Sequence, residues 1–384
     1  RCSSDLISAQ RMADILNGLE LEAEVVGSEI RVRVPSFRRD LEREVDLIEE
    51  VGRIYGYDNL PDDGLAPWAV PAVKRSKDLF LSGIGRALAG LGFCEHYGLT
   101  LTDPAQLGEL DLSPMLPSLP AVELVNPLSS DLAALRPSLL PGLLEAARRN
   151  LNNGIVSVRL FEAGKVFQPG PDAPNESLRL AVLAAGPAQP QGWDAPARQA
   201  DFFDVKGVAG FIAEWAGTGP CEFAPAACRA LHPGRSASLI IGGRAVGCCG
   251  ELAPARTQAW GIRERVYYLE LDLEGLIQGW DRHGRRYREL PRFPAVRRDL
   301  ALELAEQVDC RGVMELIRRL AGPELEEVKL FDLYQGKQIG KGKKSMAFAL
   351  VYRAADRTLT DTEVAEIHRR VVDGLKDKLQ AGIR

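Results

Sequence analysis

Residues 31–61 combine a short strand, a proline break and an acidic helix, and this order constrains the fold more than any other stretch. Residues 31–34 alternate polar and β-branched side chains, as a half-buried strand does, and Pro35 lacks the amide N–H that would continue a ladder. Asp40 is suited to cap the helix that follows. The apolar residues at or near helical spacing behind this cap are predicted to face a core: Leu41, Val45, Ile48 and Tyr55.

The other face of this predicted helix gathers carboxylates. Asp46, Glu49 and Glu50 stand at i, i+3 and i+4, so they lie within about one turn of one another, and Asp40 lies just upstream. Hard oxygen ligands of this kind suit Mg²⁺, which keeps several waters and takes few protein oxygens. A solvated acidic face paired with neighbouring arginines explains the same spacing, and spacing alone favours it. Both interpretations stay open at this point.

Composition places the chain among globular proteins with more than one domain. It has 384 residues, of which 46% are hydrophobic and 26% charged. No run of about 18 apolar residues occurs, and the first residues lack the pattern of a secretory signal, so we expect no membrane span and a cytoplasmic location. The first residue is not Met, which suggests a fragment of a longer polypeptide.

Cysteine usage argues against a disulfide framework or a zinc site. The seven cysteines are odd in number, scattered and without a C-x-x-C pair, so we interpret them as thiols in a reducing compartment. The net charge of −5 is uneven, because residues from 291 onward hold 18 Lys+Arg against 15 Asp+Glu. The last part is therefore mildly basic and tolerates a phosphate-bearing partner better than the acidic remainder does.

The middle of the chain reads as an antiparallel sheet with flanking helices. A turn-rich, proline-containing stretch after residue 59 and a basic stretch at 281–288 mark its two ends. Pro141 suits the first turn of a helix. The remaining predicted elements are a helix from 74 with Leu79, Phe80, Ile84, Leu88 and Leu91 on its apolar side, strands near 97–102, 122–125, 156–167, 178–185 and 266–273, and a helix at 203–215.

The last part follows a β-α-β-β-α order with a short strand near Ile383, which is ferredoxin-like. Its predicted elements are strands at 299–304, 328–334 and 346–352 and a helix at 311–320, with a second helix opened by a Thr360–Glu363 capping box. A hairpin turn between the middle strands carries Lys341, Lys343 and Lys344, beside Lys337. These ammonium groups suit phosphate contact, although plain solubility explains them as well.

Several of these segments closely resemble the β-subunit family of bacterial phenylalanine–tRNA ligase: VPSFRRDLEREVDLIEEVGRIYGYDNLP, RFPAVRRDLAL, LFDLYQG, GKKSMAFAL and RTLTDTEV. The resemblance extends through essentially the whole chain and implies an α+β multidomain fold. It implies a small winged-helix-like domain at 1–68, a catalytically degenerate core similar to class II synthetases at 74–285, and a ferredoxin-fold anticodon-binding domain at 291–384.

The resemblance also implies the sites. It places Asp40, Asp46, Glu49 and Glu50 at a Mg²⁺ ion shared with an α subunit. Arg159 and Glu162 stand in a motif-like place, but the later glycine-rich region at 242–251 lacks a convincing ATP-binding Arg and helix. We therefore predict no catalytic residues. The resemblance gives RNA contact to the last domain, and we assign it to Lys341, Lys343 and Lys344.

The function expected from the resemblance is that of a β-subunit fragment in a heterotetramer of two α and two β subunits. With α, it supports the ATP-dependent attachment of phenylalanine to tRNA(Phe), and alone it is inactive. Two rivals remain: a stand-alone RNA-binding or regulatory paralogue without ligase activity, and an independently active class II ligase. The missing ATP motif argues against the second rival, and the acidic helix argues against the first.

Overall fold

The computed structural model describes residues 7–60, 75–108, 110–113, 120–189, 191–226, 228–280, 287, 289–336 and 339–383. The sequence predictions that fall on 61–74, on 281–286 and on Lys337 lie outside these residues. The chain forms two compact units. The first holds residues up to Val208 together with Ala224–Leu239 and Val246–Ile277, and the second holds Ala209–Phe223, Ile240–Ala245 and residues from Gln278 onward.

The structure is mixed α and β throughout. The α-helices of the described residues are α1 (Ala9–Gly18), α2 (Glu44–Tyr55), α3 (Ser76–Gly90), α4 (Leu140–Asn152), α5 (Phe202–Ala216), α6 (Pro254–Ala259), α7 (Glu274–Trp280), α8 (Cys310–Ala321) and α9 (Asp361–Leu379). The strands are β1 (Glu22–Val26), β2 (Glu29–Arg33), β3 (Cys94–Glu95), β4 (Leu101–Thr102), β5 (Val122–Glu123), β6 (Ala134–Leu135), β7 (Val158–Gln168), β8 (Asn175–Ala185), β9 (Pro187–Gln189), β10 (Arg198–Gln199), β11 (Glu222–Pro225), β12 (Leu231–Ile241), β13 (Arg244–Leu252), β14 (Val266–Asp272), β15 (Val296–Ala305), β16 (Leu325–Tyr334), β17 (Lys343–Tyr352) and β18 (Gly382–Ile383).

The N-terminal region is a helix, a β-hairpin and the acidic helix α2. Strand β2 confirms the predicted strand, whereas its antiparallel partner β1 was not predicted. The small core here is built from Ile15, Leu16, Leu21, Leu41 and Val51. The predicted apolar stripe of α2 was partly wrong, because Val45 is 54% and Ile48 41% exposed. The buried side of α2 runs instead through Leu47, Glu50 and Val51.

A seven-stranded sheet forms the centre of the chain, in the order β11-β12-β13-β14-β8-β7-β3. Strands β7, β8 and β14 pair antiparallel, whereas β3 runs parallel to β7. Helix α4 begins with Pro141 in its first turn, as predicted, and buries Leu143, Leu144 and Ala147 in the same core cluster as Val158, Leu183 and Tyr268 of the sheet. This face of the sheet is therefore closed by apolar packing.

Two predictions for the start of this core need correction. In α3, Phe80, Ile84 and Leu88 are buried as predicted, but Leu79 is 44% and Leu91 38% exposed. The continuous strand predicted near 97–102 is absent from those residues, since only β4 lies in that range and β3 ends before it. Strand β4 instead pairs with β6, which also pairs with β5, in a separate three-stranded sheet.

The C-terminal sheet has the strand order β16-β17-β15-β18 and is antiparallel throughout. With α8 after β15 and α9 after β17, this order confirms the predicted ferredoxin-like topology. Helices α8 and α9 pack on one face, where Leu302, Phe348 and Leu350 belong to the same core cluster as Ile317 and Val371. The opposite face carries the alternate strand positions, which are small or polar in the middle of β15 and β17.

Within the described residues, no helix is both long enough and apolar enough to cross a membrane.

Candidate functional site

Helix α2 begins later than the sequence predicted, and Asp40 is not its cap. The N-cap residue is Arg43, and Asp46 serves as the acceptor in the first turn. Asp46 Oδ2 accepts hydrogen bonds from the backbone N–H groups of Arg43 at 2.7 Å and Glu42 at 3.0 Å. These two N–H donors, that of Arg43 first, hold the pKa of Asp46 below its ordinary value. The carboxylate of Asp46 is thus occupied in starting the helix.

Arg38 occupies two of the other predicted ligands. Its guanidinium donates to Asp40 at 2.7 Å and to Glu50 Oε2 at 3.1 Å. Arg53 donates to the same Glu50 oxygen at 2.9 Å. Hydrogen bonds from Arg53 and then Arg38 lower the pKa of Glu50, and the hydrogen bond from Arg38 lowers that of Asp40. Both carboxylates are therefore ionised at neutral pH and neutralised by arginine.

Glu49 differs from the other three carboxylates. It is exposed, and it makes no hydrogen bond or ion pair to another described residue. It stands at i+4 from Val45, so its carboxylate lies beside this exposed apolar side chain, and its charge acts on Arg53 at the next i+4 position. No three His, Cys, Asp or Glu side chains of the described chain lie close enough together to hold a metal ion. The donor chemistry suits Mg²⁺, but the described residues alone do not form a cage of direct ligands.

The sheet of the central core contains buried ion pairs that sequence reasoning missed. Glu270 on β14 is fully buried and binds Arg179 of β8 at 3.1 Å. The other oxygen of Glu270 accepts hydrogen bonds from the hydroxyls of Ser138 at 2.7 Å and Tyr268 at 2.5 Å. Burial, followed by the charge of Glu270, raises the pKa of Tyr268 well above its ordinary value. This network ties the loop before α4 to two strands.

Arg159 and Glu162 cannot act together on one ligand. They are three residues apart on β7, and successive side chains of a strand alternate between its faces, so the two point to opposite sides of the sheet. The Arg159 guanidinium lies over the ring of Phe93, 4.6 Å from its centroid. Glu162 is buried and binds Arg136 at 2.5 Å. Both charged groups of the motif-like stretch therefore have a contact within the protein, while Arg159 Nε and Glu162 Oε2 are buried without a hydrogen-bond partner among the described residues.

The glycine-rich region at 242–251 is a hairpin, as the turn spacing predicted. Gly242 and Gly243 have positive φ values of 58° and 78° and form the turn between β12 and β13. Gly247 serves strand packing, because a Cβ there would lie 2.2 Å from the carbonyl oxygen of Glu270 on the paired strand. No helix follows the turn directly, since β13 continues to Leu252. The hairpin turn and the close packing of paired strands therefore account for Gly242, Gly243 and Gly247.

The predicted RNA-binding lysines are close in sequence but differ in surroundings. Lys343 forms an ion pair with Glu303 of β15 at 2.7 Å. Lys344 is next to it on β17 and therefore points to the opposite face of the sheet, where it is half-buried. Lys341 lies in the turn before the strand and is exposed. Of the three, Lys341 is the most available to a phosphate.

The face of the C-terminal sheet opposite α8 and α9 carries a group of side chains that the sequence analysis did not single out. By register, Arg297, Ala349 and Lys329 lie on this face, as do Ala347, Ser345 and Tyr334. Arg297, Lys329 and Tyr334 are exposed. The same register places four carboxylates on this face, so its charge is mixed: Asp299, Glu303, Glu327 and Asp332. Its small-residue centre and the exposed ring of Tyr334 are the features that suit stacking of unpaired RNA bases.

Three family descriptions match the chain. "tRNA synthetase B5 domain" matches residues 5–57, "Phenylalanyl tRNA synthetase beta chain CLM domain" matches 68–273, and "Ferredoxin-fold anticodon binding domain" matches 291–384. Together with the α+β architecture and the ferredoxin-type sheet, these matches define a chain of the aminoacyl-tRNA synthetase class. The second match covers more than half of the sequence. The chain belongs to the phenylalanyl-tRNA synthetase β chain family.

Curated relatives agree with this family. A phenylalanine–tRNA ligase β subunit of Symbiobacterium thermophilum is 39% identical over 90% of this chain and 39% of its own length. The β subunit of Geobacter metallireducens is 35% identical over 98% of this chain and 48% of its own length, and that of Geobacter sulfurreducens is 36% identical over 100% and 49%. The chain thus spans about half or less of these relatives.

Among solved structures, a pyrrolysyl-tRNA synthetase from Desulfitobacterium hafniense is similar, with 16% identity and a TM-score of 0.42 over 70% of this chain and 87% of that one. A TM-score this low supports no conclusion about the site.

Proposed function

We propose that this chain acts as part of a β subunit of phenylalanine–tRNA ligase, together with an α subunit that binds ATP and phenylalanine. The observation that carries the proposal is the match of curated β subunits over 90 to 100% of this chain. The same proposal includes a location in the cytoplasm and an assembly of two α with two β subunits. It also includes a division of this chain into three parts, at 1–68, 74–285 and 291–384.

In this proposal the central core is a support rather than a catalyst. A synthetase site needs charged side chains free to hold ATP against the amino acid. Here Glu162 is paired with Arg136, Glu270 is paired with Arg179, and Arg159 lies on Phe93. Buried pairs of this kind are expensive to break, because removing one partner leaves the other charge uncompensated. The arrangement favours a rigid scaffold for the α subunit.

The outer side of α2 is the surface we assign to the α contact. Val45 and Ile48 expose apolar area beside the free carboxylate of Glu49. We propose that a Mg²⁺ ion lies at this contact near Glu49, shared with oxygen ligands of α. Asp40, Asp46 and the buried Glu50 would act on the ion through bound water or through their negative charge rather than as direct ligands. The ion would supply a bridge between acidic groups of the two subunits. The arginines and backbone N–H groups that hold the other three carboxylates keep them ionised and in place for this role.

The last domain supplies RNA contact in this proposal. Lys341 in the hairpin turn offers a phosphate contact, and the exposed ring of Tyr334 beside the small residues Ala347 and Ala349 offers a place for unstacked bases. The match of residues 291–384 to a ferredoxin-fold anticodon-binding domain supports tRNA as the nucleic acid.

The deciding experiment combines this chain with a candidate α subunit and measures co-purification, phenylalanine-dependent ATP–pyrophosphate exchange and charging of tRNA(Phe). We expect exchange at background for the chain alone and charging only with α present. A chain that binds tRNA but never associates with α would establish the regulatory or RNA-binding paralogue instead. Clear exchange by the chain alone would establish an independently active ligase.

A further inference from the structure

Arg159 is a partly buried cation for which the described residues supply no hydrogen-bond acceptor. Its Nε is buried without a partner, and no ion pair joins its guanidinium to a described carboxylate. The two other arginines of this part of the sheet, Arg136 and Arg179, each bind a glutamate. Burying a polar atom without a hydrogen bond costs stability, so the position of this guanidinium calls for a reason outside the packing of the sheet.

The surroundings of Arg159 hold its guanidinium in one orientation. The group lies over the ring of Phe93, in the segment that follows α3, with the guanidinium carbon 4.6 Å from the ring centroid. Stacking of this kind leaves the N–H donors at the edge of the planar group free for an acceptor. Gly92 adds no side chain at this edge, where a Cβ would lie 3.5 Å from Nη1 of Arg159. The two Nη groups are therefore presented rather than covered.

The carboxylates of α5 near this site are bound by a different arginine. The charge of Arg159 acts on Asp204 in the first turn of α5. Arg198, however, donates to both oxygens of Asp204, at 2.6 and 2.9 Å, and lies 3.8 Å from Asp201. Arg198 thus neutralises this end of α5, and Arg159 lacks a counter-charge of its own among the described residues.

The neighbours of Arg159 along the chain favour a protein partner over a nucleic acid. Val156 is 69% and Ile155 49% exposed just before β7, and Leu91 is 38% exposed just before Phe93. Nucleic acid is usually held by several basic side chains on successive phosphates. An arginine stacked on an aromatic ring, with exposed apolar residues close in sequence, is typical of the residues that dominate protein–protein interfaces.

We propose that Arg159 docks a carboxylate of the α subunit as a bidentate pair through its two Nη groups. This inference rests on the proposed function, because it assigns a second contact to the same partner, on β7 rather than on α2. The planar fork of a guanidinium matches the two oxygens of an Asp or Glu side chain. Stacking on Phe93 fixes the fork before α binds, so little side-chain entropy is lost on association.

The test measures the affinity of the full chain for a candidate α subunit by biolayer interferometry. We expect Arg159→Ala to weaken association by about 30-fold or more, the usual effect of truncating one partner of a buried charge pair. Arg159→Lys keeps the charge but not the planar fork, so its loss should be smaller but measurable. Arg263→Ala is the matched control, because Arg263 is exposed in the same compact unit, and its effect should stay within about twofold.

A carbodiimide cross-link identifies the facing carboxylate. In Arg159→Lys the reagent couples the new ammonium group to a carboxylate in contact with it, and mass spectrometry of a digest shows which residue has been joined. We expect a linked peptide from the α subunit. Arg263→Lys, treated in the same way, should give none.

Three results would contradict the proposal. Wild-type affinity of Arg159→Ala for α would overturn it and leave the proposed function standing, and so would a cross-link to Asp204 of this chain in place of one to α. Failure of the wild-type chain to associate with α would overturn both. Circular dichroism checks folding, and Arg159→Lys, which keeps a long aliphatic stem to lie on Phe93, decides the question if Arg159→Ala unfolds.

Discussion

Arg38 shows how one side chain changes the roles of its neighbours. Asp40 has the side-chain chemistry of a helix cap, but the guanidinium of Arg38 binds it through two oxygens, and a charge-assisted bidentate pair is stronger than a neutral cap. The same guanidinium reaches Glu50, which is twelve residues away in sequence. Asp40 is thereby removed from the helix start, and Asp46 takes over as the acceptor.

Glu270 shows the same principle in a buried setting. Its two oxygens are filled by Arg179, Ser138 and Tyr268, and the side chains of Glu270 and Arg179 are 0% and 4% exposed. Such a pair gains little over well-packed apolar residues, but breaking it is costly because the remaining charge stays buried. The stability of the central core is therefore sensitive to this one carboxylate.

We predict that Glu270→Gln lowers the free energy of unfolding by about 3 to 5 kcal/mol, because Arg179 is left without its counter-charge. Urea unfolding followed by tryptophan fluorescence measures this effect, since Trp260 packs against the same core. The control is Glu24→Gln, whose ion pair with Arg31 is 64% and 72% exposed and should contribute at most about 1 kcal/mol. Equal losses for the two variants would contradict the prediction.

At the scale of elements, helix starts set by neighbouring residues could be predicted from the sequence, whereas those decided by competition between side-chain contacts could not. The Thr360–Glu363 capping box and the helix that follows were confirmed because all of the groups involved lie within four residues. Pro141 in the first turn of α4 was confirmed for the same reason. The start of α2 was missed because a side-chain ion pair competes with the cap. Its apolar stripe was misjudged because periodicity alone does not show that Val45 and Ile48 are exposed while Glu50 is buried.

Helix α9 should lose stability in acid through its capping box. The backbone N–H of Thr360, the Arg357 guanidinium and the Thr360 hydroxyl lower the pKa of Glu363 from 4.5 to about 2. A carboxyl with a lowered folded pKa stabilises the fold fully above its unfolded pKa and loses that contribution as the pH falls towards the folded value. We predict that wild type and Glu363→Gln differ most in stability above pH 4.5 and converge towards pH 2.

Calorimetric unfolding across this pH range measures the difference, and Glu366→Gln on the same helix is the control, since Glu366 is exposed and lies outside the box. A separate Thr360→Ala change should cost about 1 kcal/mol at neutral pH, the usual loss for a removed cap. A constant gap between wild type and Glu363→Gln at all pH values would contradict the titration argument.

The turn before β17 should contribute to RNA affinity mainly through Lys341. Replacing it by Ala removes one exposed ammonium group, so tRNA binding should weaken for all sequences and the slope of log K against log salt should become shallower by about 0.7 to 0.9. Lys343→Ala should have a smaller effect because Glu303 already neutralises that lysine. Lys378→Ala, near the end of α9, is the control. Unchanged tRNA binding in Lys341→Ala would mean that these lysines contribute to solubility and not to RNA contact.

At the scale of the whole molecule, the order of elements was predictable but the long-range pairs were not. Arg179 and Glu270 are 91 residues apart, and Ser138 and Glu270 are 132 apart. No spacing rule joins residues across such distances, because their contact is set by sheet register. Sequence spacing does not show what covers the exposed side chains Val45, Ile48 and Glu49 for a related reason: the proposed α contact would be made by residues of another chain.

The assembly with α should depend on Mg²⁺ through the acidic helix. We predict that Asp46→Asn combined with Glu49→Gln leaves the fold intact, since Asn keeps an oxygen acceptor for the backbone N–H groups that Asp46 binds. Two of the four proposed acidic groups are then neutral, so association with α should need a higher Mg²⁺ concentration or lose its Mg²⁺ response. Association titrated against Mg²⁺ measures this, with circular dichroism as the folding check.

Glu42→Gln with Glu44→Gln is the matched control, because it removes two negative charges at the same end of α2 from exposed residues outside the proposed ligand set. If general repulsion between acidic surfaces governs assembly, both double variants should shift the titration equally. If the ion bridges the subunits, only the first should shift it, because a hard cation needs oxygen donors with charge at the contact itself. Identical Mg²⁺ titrations for wild type and both variants would mean that the four carboxylates are an acidic surface stabilised by Arg38, Arg43 and Arg53.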